Sequence, residues 1–231
     1  MLLGEKTRAS VEVMTGSPDS AKAPAAENVL VLIRHGESEW NRANRFTGWK
    51  DVGLTEEGMA EAHRAGSMLK QAYTRFDCAF TSTLKRAHNT LDIILEELGQ
   101  RKLPTVKAAA LNERDYGELV GINKEEARKR FGAEQVHIWQ RSYDTAPPGG
   151  ESLKDTALRV VPFYEKWIAP ELQKGKSVIV VAHGNSLRSL IMELDRLTPD
   201  EVMQVELRTG MPLVYRLNAD GTVAEKRDLA A

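Results

Sequence analysis

The chain lacks several features that would assign it to a common class of protein. It has one cysteine, Cys78, among 231 residues, so no disulfide can form within the chain and a reducing compartment is indicated. Lys and Arg number 32 and Asp and Glu 33, which leaves a net charge of -1 and no overall field that attracts nucleic acid or an anionic membrane. No apolar run approaches the roughly 20 residues of a transmembrane helix. We therefore predict a cytoplasmic protein that binds neither nucleic acid nor membrane.

The N-terminal residues also lack the features of a packed fold or of a targeting signal. The stretch "GSPDSAKAPAAEN" is small and polar, without helical or strand periodicity, and the segment has no apolar centre typical of a signal peptide. Organelle transit peptides contain few acids, whereas this segment contains Glu5, Glu12, Asp19 and Glu27. We predict that residues 1–28 are a disordered leader and that residues 29–231 form a single domain.

From Val29 onward, segments with strand and helix patterns alternate. Residues 29–33, 76–80 and 178–181 read as strands, and the first and last are uniformly apolar, as in strands covered on both faces. Between them, apolar residues at helical spacing predict buried helix faces. The predicted inner faces include Met59, Ala62, Gly66 and Leu69; Leu84, Leu91, Ile94 and Leu98; Leu153, Val160, Tyr164 and Trp167; and Leu187, Leu190 and Ile191. Asp220-Gly221 separates two short apolar stretches, which predicts a C-terminal hairpin.

This alternation predicts the α/β class, as a three-layer α/β/α sandwich with a mostly parallel central sheet. Ligands of such sheets bind at the carboxyl ends of the strands. Two strands end there in the same way, in "LIRHGES" and "VAHGNS", which deliver His35 and His183. If the two strands are neighbours in the sheet, the two histidines lie side by side.

The residues around these histidines favour a site for a tetrahedral dianion. Arg34 precedes His35, and Arg86 falls in the first turn of the helix after the second strand, so both guanidinium groups are expected at the ligand edge. Gly36 would allow close approach of the ligand, with the backbone N–H groups after it directed at the anion. A lone histidine is more often structural, but the repeated pattern at two strand ends favours function.

These residue types are suited to phosphoryl transfer. His35 would attack phosphorus through a neutral ring nitrogen and form a phosphohistidine, while Arg34, Arg86 and a protonated His183 neutralise the oxygens. Glu113 is the candidate proton donor, and a carboxyl group that faces phosphate oxygens should have a raised pKa. The alternative for Glu113 is a surface ion pair with Arg114. A zinc site of two histidines and a carboxylate is disfavoured, because two arginines would repel the dication.

Four blocks in order make the chain resemble the cofactor-dependent phosphoglycerate mutases of the histidine phosphatase superfamily: "LIRHGESEWNRANRFTGWKDVGLTEEG", "TSTLKRA", "LNERDYGELVGINKEEA" and "VAHGNSLRSL". The resemblance implies interconversion of 3-phosphoglycerate and 2-phosphoglycerate, a 2,3-bisphosphoglycerate primer, no metal, and a homodimer or homotetramer. It implies that His35 is phosphorylated, that Glu113 is the acid and base, and that His183 stabilises the transferring group. The substrate and phosphate contacts that it implies are Arg34, Ser38, Asn41, Thr47, Gly48, Arg86, Arg114, Tyr116, Lys124, Gln140, Arg141, Gly184 and Asn185.

The chain departs from the family pattern at a few positions. Gln140-Arg141 stands where the family usually has two arginines, so we expect weaker substrate binding than an arginine at position 140 would give. The chain stops soon after the hairpin, without the longer tail of some members, and a thinner cover over the phosphohistidine predicts phosphatase leakage. Two rival functions remain open: a phosphatase of the same superfamily, and a non-catalytic module that has kept only the phosphate pocket.

Overall fold

A computed structural model describes residues 28–72 and 75–229. The predicted leader, residues 1–28, lies outside the described residues except for Asn28, whose carbonyl oxygen accepts a hydrogen bond from the N–H of Leu217. In the described part of the chain, no helix is both long enough and apolar enough to cross a membrane.

One sheet organises the described residues. Its strands are β1 (Val29–Arg34), β2 (Cys78–Thr81), β3 (Thr105–Lys107), β4 (Val178–Ala182), β5 (Pro212–Leu217) and β6 (Val223–Asp228). Their order across the sheet is β3-β2-β4-β1-β5-β6. The pairs β1–β4, β2–β4 and β2–β3 are parallel, and the pairs β1–β5 and β5–β6 are antiparallel. The predicted mostly parallel sheet and the C-terminal hairpin are confirmed.

Helices cover both faces of this sheet. They are α1 (Glu39–Arg42), α2 (Glu56–Ala72), α3 (Lys85–Glu97), α4 (Lys124–Phe131), α5 (Ala133–Arg141), α6 (Leu153–Phe163), α7 (Ala169–Gln173), α8 (Gly184–Asp195) and α9 (Pro199–Gln204). Short 3₁₀ turns occupy Ala109–Leu111 and Gly117–Leu119, and a π-helical turn occupies Tyr164–Ile168.

Side-chain alternation along the strands divides the core in two. Leu30 and Leu32 of β1 point to one face and pack in a cluster with residues of α6, α7 and α8. Val31 and Ile33 point to the other face and pack in a cluster with residues of α2 and α3. Each fully buried side chain of this size contributes about 1.5–3 kcal/mol. Two buried layers between one sheet and two helical layers confirm the predicted three-layer sandwich.

Three side chains are not where the sequence pattern predicts them. Met59 is 41% exposed. Gly58 packs against the loop at Glu37, so the buried face of α2 begins at Gly58 rather than at Met59. Trp167 is 52% exposed, because it lies in the π-helical turn after Pro162, where the wider turn rotates the side chains out of the 3.6-residue period. Phe76 is buried but precedes β2, which begins at Cys78.

Candidate active site

The two histidines meet at the carboxyl end of the sheet. Strands β1 and β4 pair in parallel with Arg34 opposite Ala182, so the next residue of each strand is a histidine at the same edge. The N–H of His35 donates to the carbonyl oxygen of Ala182 at 3.0 Å, and the ring centroids of His35 and His183 are 5.0 Å apart. The predicted juxtaposition is confirmed.

One ring nitrogen of His35 is hydrogen-bonded to a backbone carbonyl, and the other accepts a hydrogen bond from Nε of Arg86. Its Nδ1 lies 2.7 Å from the carbonyl oxygen of Gly36, which can only accept, so Nδ1 carries the hydrogen. Burial, together with the charges of Arg86 and Arg34, holds the pKa of His35 well below 6.5, against the opposing effect of the Gly36 carbonyl. The ring is therefore neutral near pH 7, with its lone pair on Nε2.

His183 is also neutral in the protein by itself, so the protonated ring expected during phosphoryl transfer stays a prediction for the anion-bound site. It is fully buried, and its Nε2 lies 2.7 Å from the hydroxyl of Ser82. Burial, and then the charge of Arg86, holds the pKa of His183 well below 6.5. The same arginines that suit the site to an anion disfavour a second cation between them. His183 can therefore act only as a neutral hydrogen-bonding group until an anion arrives.

Arg86 is a buried cation that lines the site. It is almost fully buried, and its guanidinium donates to the carbonyl oxygens of Lys50 at 2.9 Å and Gly48 at 2.8 Å. Its Nε lies 3.3 Å from Nε2 of His35. Burial lowers the pKa of Arg86 to about 10, so the group remains charged near neutrality.

Arg34 stands at the end of β1. Its Nη1 donates to the carbonyl oxygen of Leu207 at 2.8 Å, and its buried Nε makes no hydrogen bond with another described residue. An unpaired buried donor is unfavourable, so an added acceptor would stabilise this geometry.

Glu113 lies against the first turn of α8 and lines the same cleft as His35. Its Oε1 accepts from the N–H of Arg114 at 2.8 Å, and from the N–H and the side-chain amide of Asn185 at 3.1 and 3.0 Å. Burial alone raises the pKa of the Glu113 carboxyl, but these donors and the charges of Arg86 and Arg34 hold it below its usual value. Glu113 is therefore ionised in the protein by itself, and the raised pKa expected beside phosphate oxygens stays a prediction for the liganded site.

Arg114 is not the exposed ion-pair partner of the alternative interpretation. It is fully buried and lies over the ring of Tyr116, with 4.6 Å between the guanidinium carbon and the ring centroid. None of its three guanidinium nitrogens makes a hydrogen bond of normal geometry with another described residue. The hydroxyl of Tyr116 accepts from the side-chain amide of Asn185 at 3.2 Å.

A narrow cleft opens between these groups. Its lining residues are Arg34, His35, Asn41, Arg45, Phe46, Thr47, Arg86, Glu113, Tyr116 and Lys124. Four of them are cationic and one, Glu113, is anionic, so the cleft is suited to a ligand with several negative charges.

Several predicted contacts do not line this cleft. Ser38 caps α1, with its hydroxyl donating to Oδ1 of Asn41 at 2.9 Å, and so orients a lining residue rather than being one. Gly48 lies behind Arg86, and Gly184 and Asn185 form the first turn of α8 behind Glu113.

Gln140 and Arg141 lie further out, at the end of α5. Arg141 donates to the carbonyl oxygen of Met203 at 3.3 Å and lies 4.0 Å from a carboxylate oxygen of Glu206. Substrate contacts of Gln140 and Arg141 remain predictions.

The role expected for Gly36 needs correction. Its own N–H donates to the hydroxyl of Thr90 at 3.0 Å, and the N–H of Glu37 donates to a carboxylate oxygen of Glu61 at 2.7 Å, so neither is free to donate to a bound phosphate. A Cβ on Gly36 would lie 2.2 Å from the carbonyl oxygen of Gly58. Glycine is required here for the close packing of two backbones.

Known proteins resemble the chain over nearly all of the described residues. The profile of the "Histidine phosphatase superfamily (branch 1)" matches residues 30–228. A protein of Rhodopseudomonas palustris named 2,3-bisphosphoglycerate-dependent phosphoglycerate mutase is 61% identical over 204 residues, which cover 88% of this chain and 99% of the relative. A protein of the same name from Xanthobacter autotrophicus is 58% identical over 206 residues, 89% of this chain and 100% of the relative.

The chain belongs to the 2,3-bisphosphoglycerate-dependent phosphoglycerate mutases of the histidine phosphatase superfamily.

Solved structures of the superfamily show the same fold. YhfR of Bacillus stearothermophilus superposes with a TM-score of 0.74 at 28% identity, over 84% of this chain and 93% of that one. A mycobacterial glucosyl-3-phosphoglycerate phosphatase superposes with a TM-score of 0.74 at 25% identity, over 87% and 96% of the two chains. The phosphoglycerate mutase fold is therefore shared with phosphatases of the superfamily.

Several residues of the site are not among those predicted from the sequence. Arg45 and Phe46 line the cleft directly before the predicted Thr47, so their position in the motif could have indicated them. Ser82 contacts His183, and its place at the end of β2 was an available signal. Arg159 lies on α6, far along the chain from the motifs, and no sequence signal pointed to it. Among the described residues, no three His, Cys, Asp or Glu side chains are grouped so as to hold a metal ion.

Proposed function

We propose that the chain interconverts 3-phosphoglycerate and 2-phosphoglycerate through a phosphohistidine at His35 that 2,3-bisphosphoglycerate primes. One observation carries the proposal: a neutral imidazole, with its hydrogen on Nδ1 and its lone pair on Nε2, lines a cleft with four cationic side chains. The names of relatives that are 58–61% identical support the choice of phosphoglycerate as substrate.

In the transfer step, Nε2 of His35 forms a bond to phosphorus while the bond from phosphorus to the departing oxygen breaks. The electron pair goes to that oxygen, which takes a proton from Glu113. Arg34 and Arg86 neutralise the oxygens of the transferring group, which is the main requirement of phosphoryl transfer. His183, held against Ser82, stabilises the transferring group, and the negative charge of the bound anion favours protonation of its ring.

The carboxyl of Glu113 can serve in both directions. By itself it is ionised and ready to accept the proton of a phosphoglycerate hydroxyl that attacks phosphohistidine. A bound phosphate dianion would raise its pKa through like-charge repulsion, so that it holds a proton for the reverse step. General acid–base catalysis of this kind contributes about 10²–10⁴ in rate.

The primer has two phosphates and a carboxylate, so it needs cations beyond those at His35. Lys124 and Arg45, which line the cleft, fit this requirement. Arg114 does not line the cleft but lies behind Tyr116, and its buried guanidinium favours negative charge on that side of the site. The proposal includes no metal. The cytoplasmic location, the single domain and the homodimer or homotetramer remain predictions.

A phosphatase is the second candidate, because a solved mycobacterial glucosyl-3-phosphoglycerate phosphatase shares the fold at 25% identity. Both functions would use the same phosphohistidine and differ in whether phosphoglycerate or water accepts the phosphoryl group.

Primer dependence separates the two functions. We expect 3-phosphoglycerate turnover to rise at least about tenfold with 2,3-bisphosphoglycerate, and acid-labile phosphate to appear on the protein but not on a His35→Asn variant. Release of inorganic phosphate should be much slower than isomerisation. Phosphate release as the main product, with no stimulation by the primer, would identify a phosphatase instead. The absence of acid-labile phosphate would support the non-catalytic module.

A further inference from the structure

The side chain of Arg159 binds the backbone of the loop that carries Glu113. After the 3₁₀ turn Ala109–Leu111, the backbone carbonyls of this loop point toward α6. Arg159 donates through Nη1 to the carbonyl oxygens of Ala110 at 2.8 Å and Asn112 at 2.9 Å, and through Nη2 to that of Glu113 at 2.9 Å. One guanidinium therefore fixes three peptide groups, the last of which belongs to Glu113 itself.

Glu151 completes this arrangement. Its two carboxylate oxygens accept from Nε and Nη2 of Arg159 at 2.9 and 2.7 Å, in the bidentate geometry that fixes a guanidinium plane. The same carboxylate accepts from the N–H of Asp115 at 3.0 Å, and the N–H of Glu151 donates to the carbonyl oxygen of Asp115 at 2.8 Å. The pair therefore holds the loop on both sides of Glu113.

This pair differs from a surface ion pair. The side chains of Arg159 and Glu151 are only 20% and 21% exposed. Both bind the loop through its backbone groups, not through its side chains. The carbonyl oxygen of Glu113 also accepts from the indole N–H of Trp49 at 2.6 Å. Backbone groups held by two donors have little freedom, so the carboxyl of Glu113 is kept against the amides of Asn185.

We propose that Arg159, oriented by Glu151, is a positioning residue that sets where the Glu113 carboxyl stands relative to His35. The role of Glu113 in this statement rests on the proposed function. Misplacement of a reacting group by about 1 Å can lower the rate about 10²-fold. Arg159 touches backbone rather than substrate in this arrangement, so its loss should affect the rate of the proton-transfer step more than substrate binding.

Steady-state kinetics test this prediction with Arg159→Met, Arg159→Lys and a control. We expect Arg159→Met to lower kcat about 30- to 100-fold with less than about a threefold change in KM. Arg159→Lys should recover part of the loss, because an ammonium can replace only some of the carbonyl contacts. The control is Leu69→Ala in α2, which weakens the core on the opposite face of the sheet. Equal losses of kcat in Arg159→Met and Leu69→Ala, at matched folded fractions, would overturn the proposal.

A double-mutant cycle with Glu113→Gln shows whether Arg159 acts through Glu113. If it does, Arg159→Met should lower kcat at most about threefold in the Glu113→Gln background, because the carboxyl that Arg159 positions is already absent. A full 30- to 100-fold loss in that background would contradict the proposal.

A titration of the Glu113 carboxyl distinguishes failure of this inference from failure of the proposed function. The ¹³C signal of that carboxyl, assigned by its loss in Glu113→Gln, should titrate at higher pH in Arg159→Met than in the wild type. The displaced carboxyl would lose the amide donors that now lower its pKa. If the carboxyl titrates at the same pH in both proteins, the positioning role is wrong, whether or not the protein is a mutase. If the titration shifts but the protein has no mutase activity, the positioning role stands and only the proposed function is wrong.

Discussion

At the scale of single residues, protonation in the site is set by neighbours rather than by residue type. His35 and His183 are both buried next to Arg86, and both are neutral. Glu113 is equally buried, yet it is ionised because hydrogen-bond donors and arginines surround it. The free site is therefore a set of cations and one carboxylate around two uncharged rings. Such a site gains its balancing negative charge from the ligand.

This distribution predicts how stability depends on pH. Folded His35 and His183 stay neutral where the unfolded chain takes up protons near pH 6.5, so the unfolded state binds more protons below that pH. The free energy of unfolding should therefore fall as the pH decreases below about 6.5, by up to about 1.4 kcal/mol per pH unit for each histidine. Urea unfolding of the wild type between pH 7 and 5 measures this slope.

In the variant His35→Gln/His183→Gln, the free energy of unfolding should change clearly less with pH over the same range. Some slope should remain, since burial also lowers the pKa of His88. Leu69→Ala, by contrast, should lower stability equally at each pH. A double variant with the slope of the wild type would show that the two histidines are not the groups responsible.

At the scale of elements, the loop after β1 is fixed by its contact with the start of α2. Thr55 donates its N–H to the carbonyl oxygen of Glu37 at 2.9 Å and accepts from the N–H of Gly58 at 3.1 Å, which caps the helix against the loop. Gly36 and Gly58 face each other with backbone in contact, and a Cβ on Gly58 would lie 2.0 Å from the carbonyl oxygen of Glu37. The position of His35 thus depends on two residues without side chains.

We predict that Gly58→Ala moves this loop and costs about 1–3 kcal/mol of stability, as overpacking of a tight contact does. The phosphorylation rate of His35 should fall at temperatures where the variant is still folded. The matched control is Gly53→Ala, where a Cβ meets only a side-chain oxygen of Glu39 at 3.6 Å and little should change. Thermal unfolding and rapid-quench phosphorylation measure both effects. Equal stability of the two alanine variants would refute the close-packing argument.

At the scale of the whole molecule, the cleft combines distant parts of the chain. Its walls come from the end of β1, the start of α3, the loop at Glu113 and the start of α4. A ligand that contacts all of them binds the folded state and not the unfolded chain, so it adds its binding free energy to the stability of the whole sheet.

We therefore predict that 2,3-bisphosphoglycerate, at about 100 times its Kd, raises the free energy of unfolding by about 2.7 kcal/mol. For a chain of this size, the Tm should rise by about 5–10 °C. At the same ligand concentration, Lys124→Ala should show a clearly smaller rise, because Lys124 lines the cleft.

Lys129→Ala is the matched control, since Lys129 is exposed on the same helix and does not line the cleft. Its Tm should rise as much as that of the wild type. A rise that is equally reduced in both lysine variants would indicate general charge attraction rather than a contact at Lys124.

The sequence by itself determined the alternation of elements, the α/β sandwich and the two histidines at neighbouring strand ends. These features follow from local patterns, since apolar runs, caps and turns act within a few residues of one another. The motifs also indicated eight of the residues that line the cleft, among them Arg86, Tyr116 and Lys124.

Only the tertiary structure decided the protonation states, the packing of Gly36 on Gly58 and the role of Arg159. The lowered pKa values of His183 and Glu113 depend on burial and on charges brought together from different segments. Arg159 contacts residues 46 to 49 positions earlier in the chain. Interactions of this kind depend on distance in space, and a linear pattern does not encode that distance.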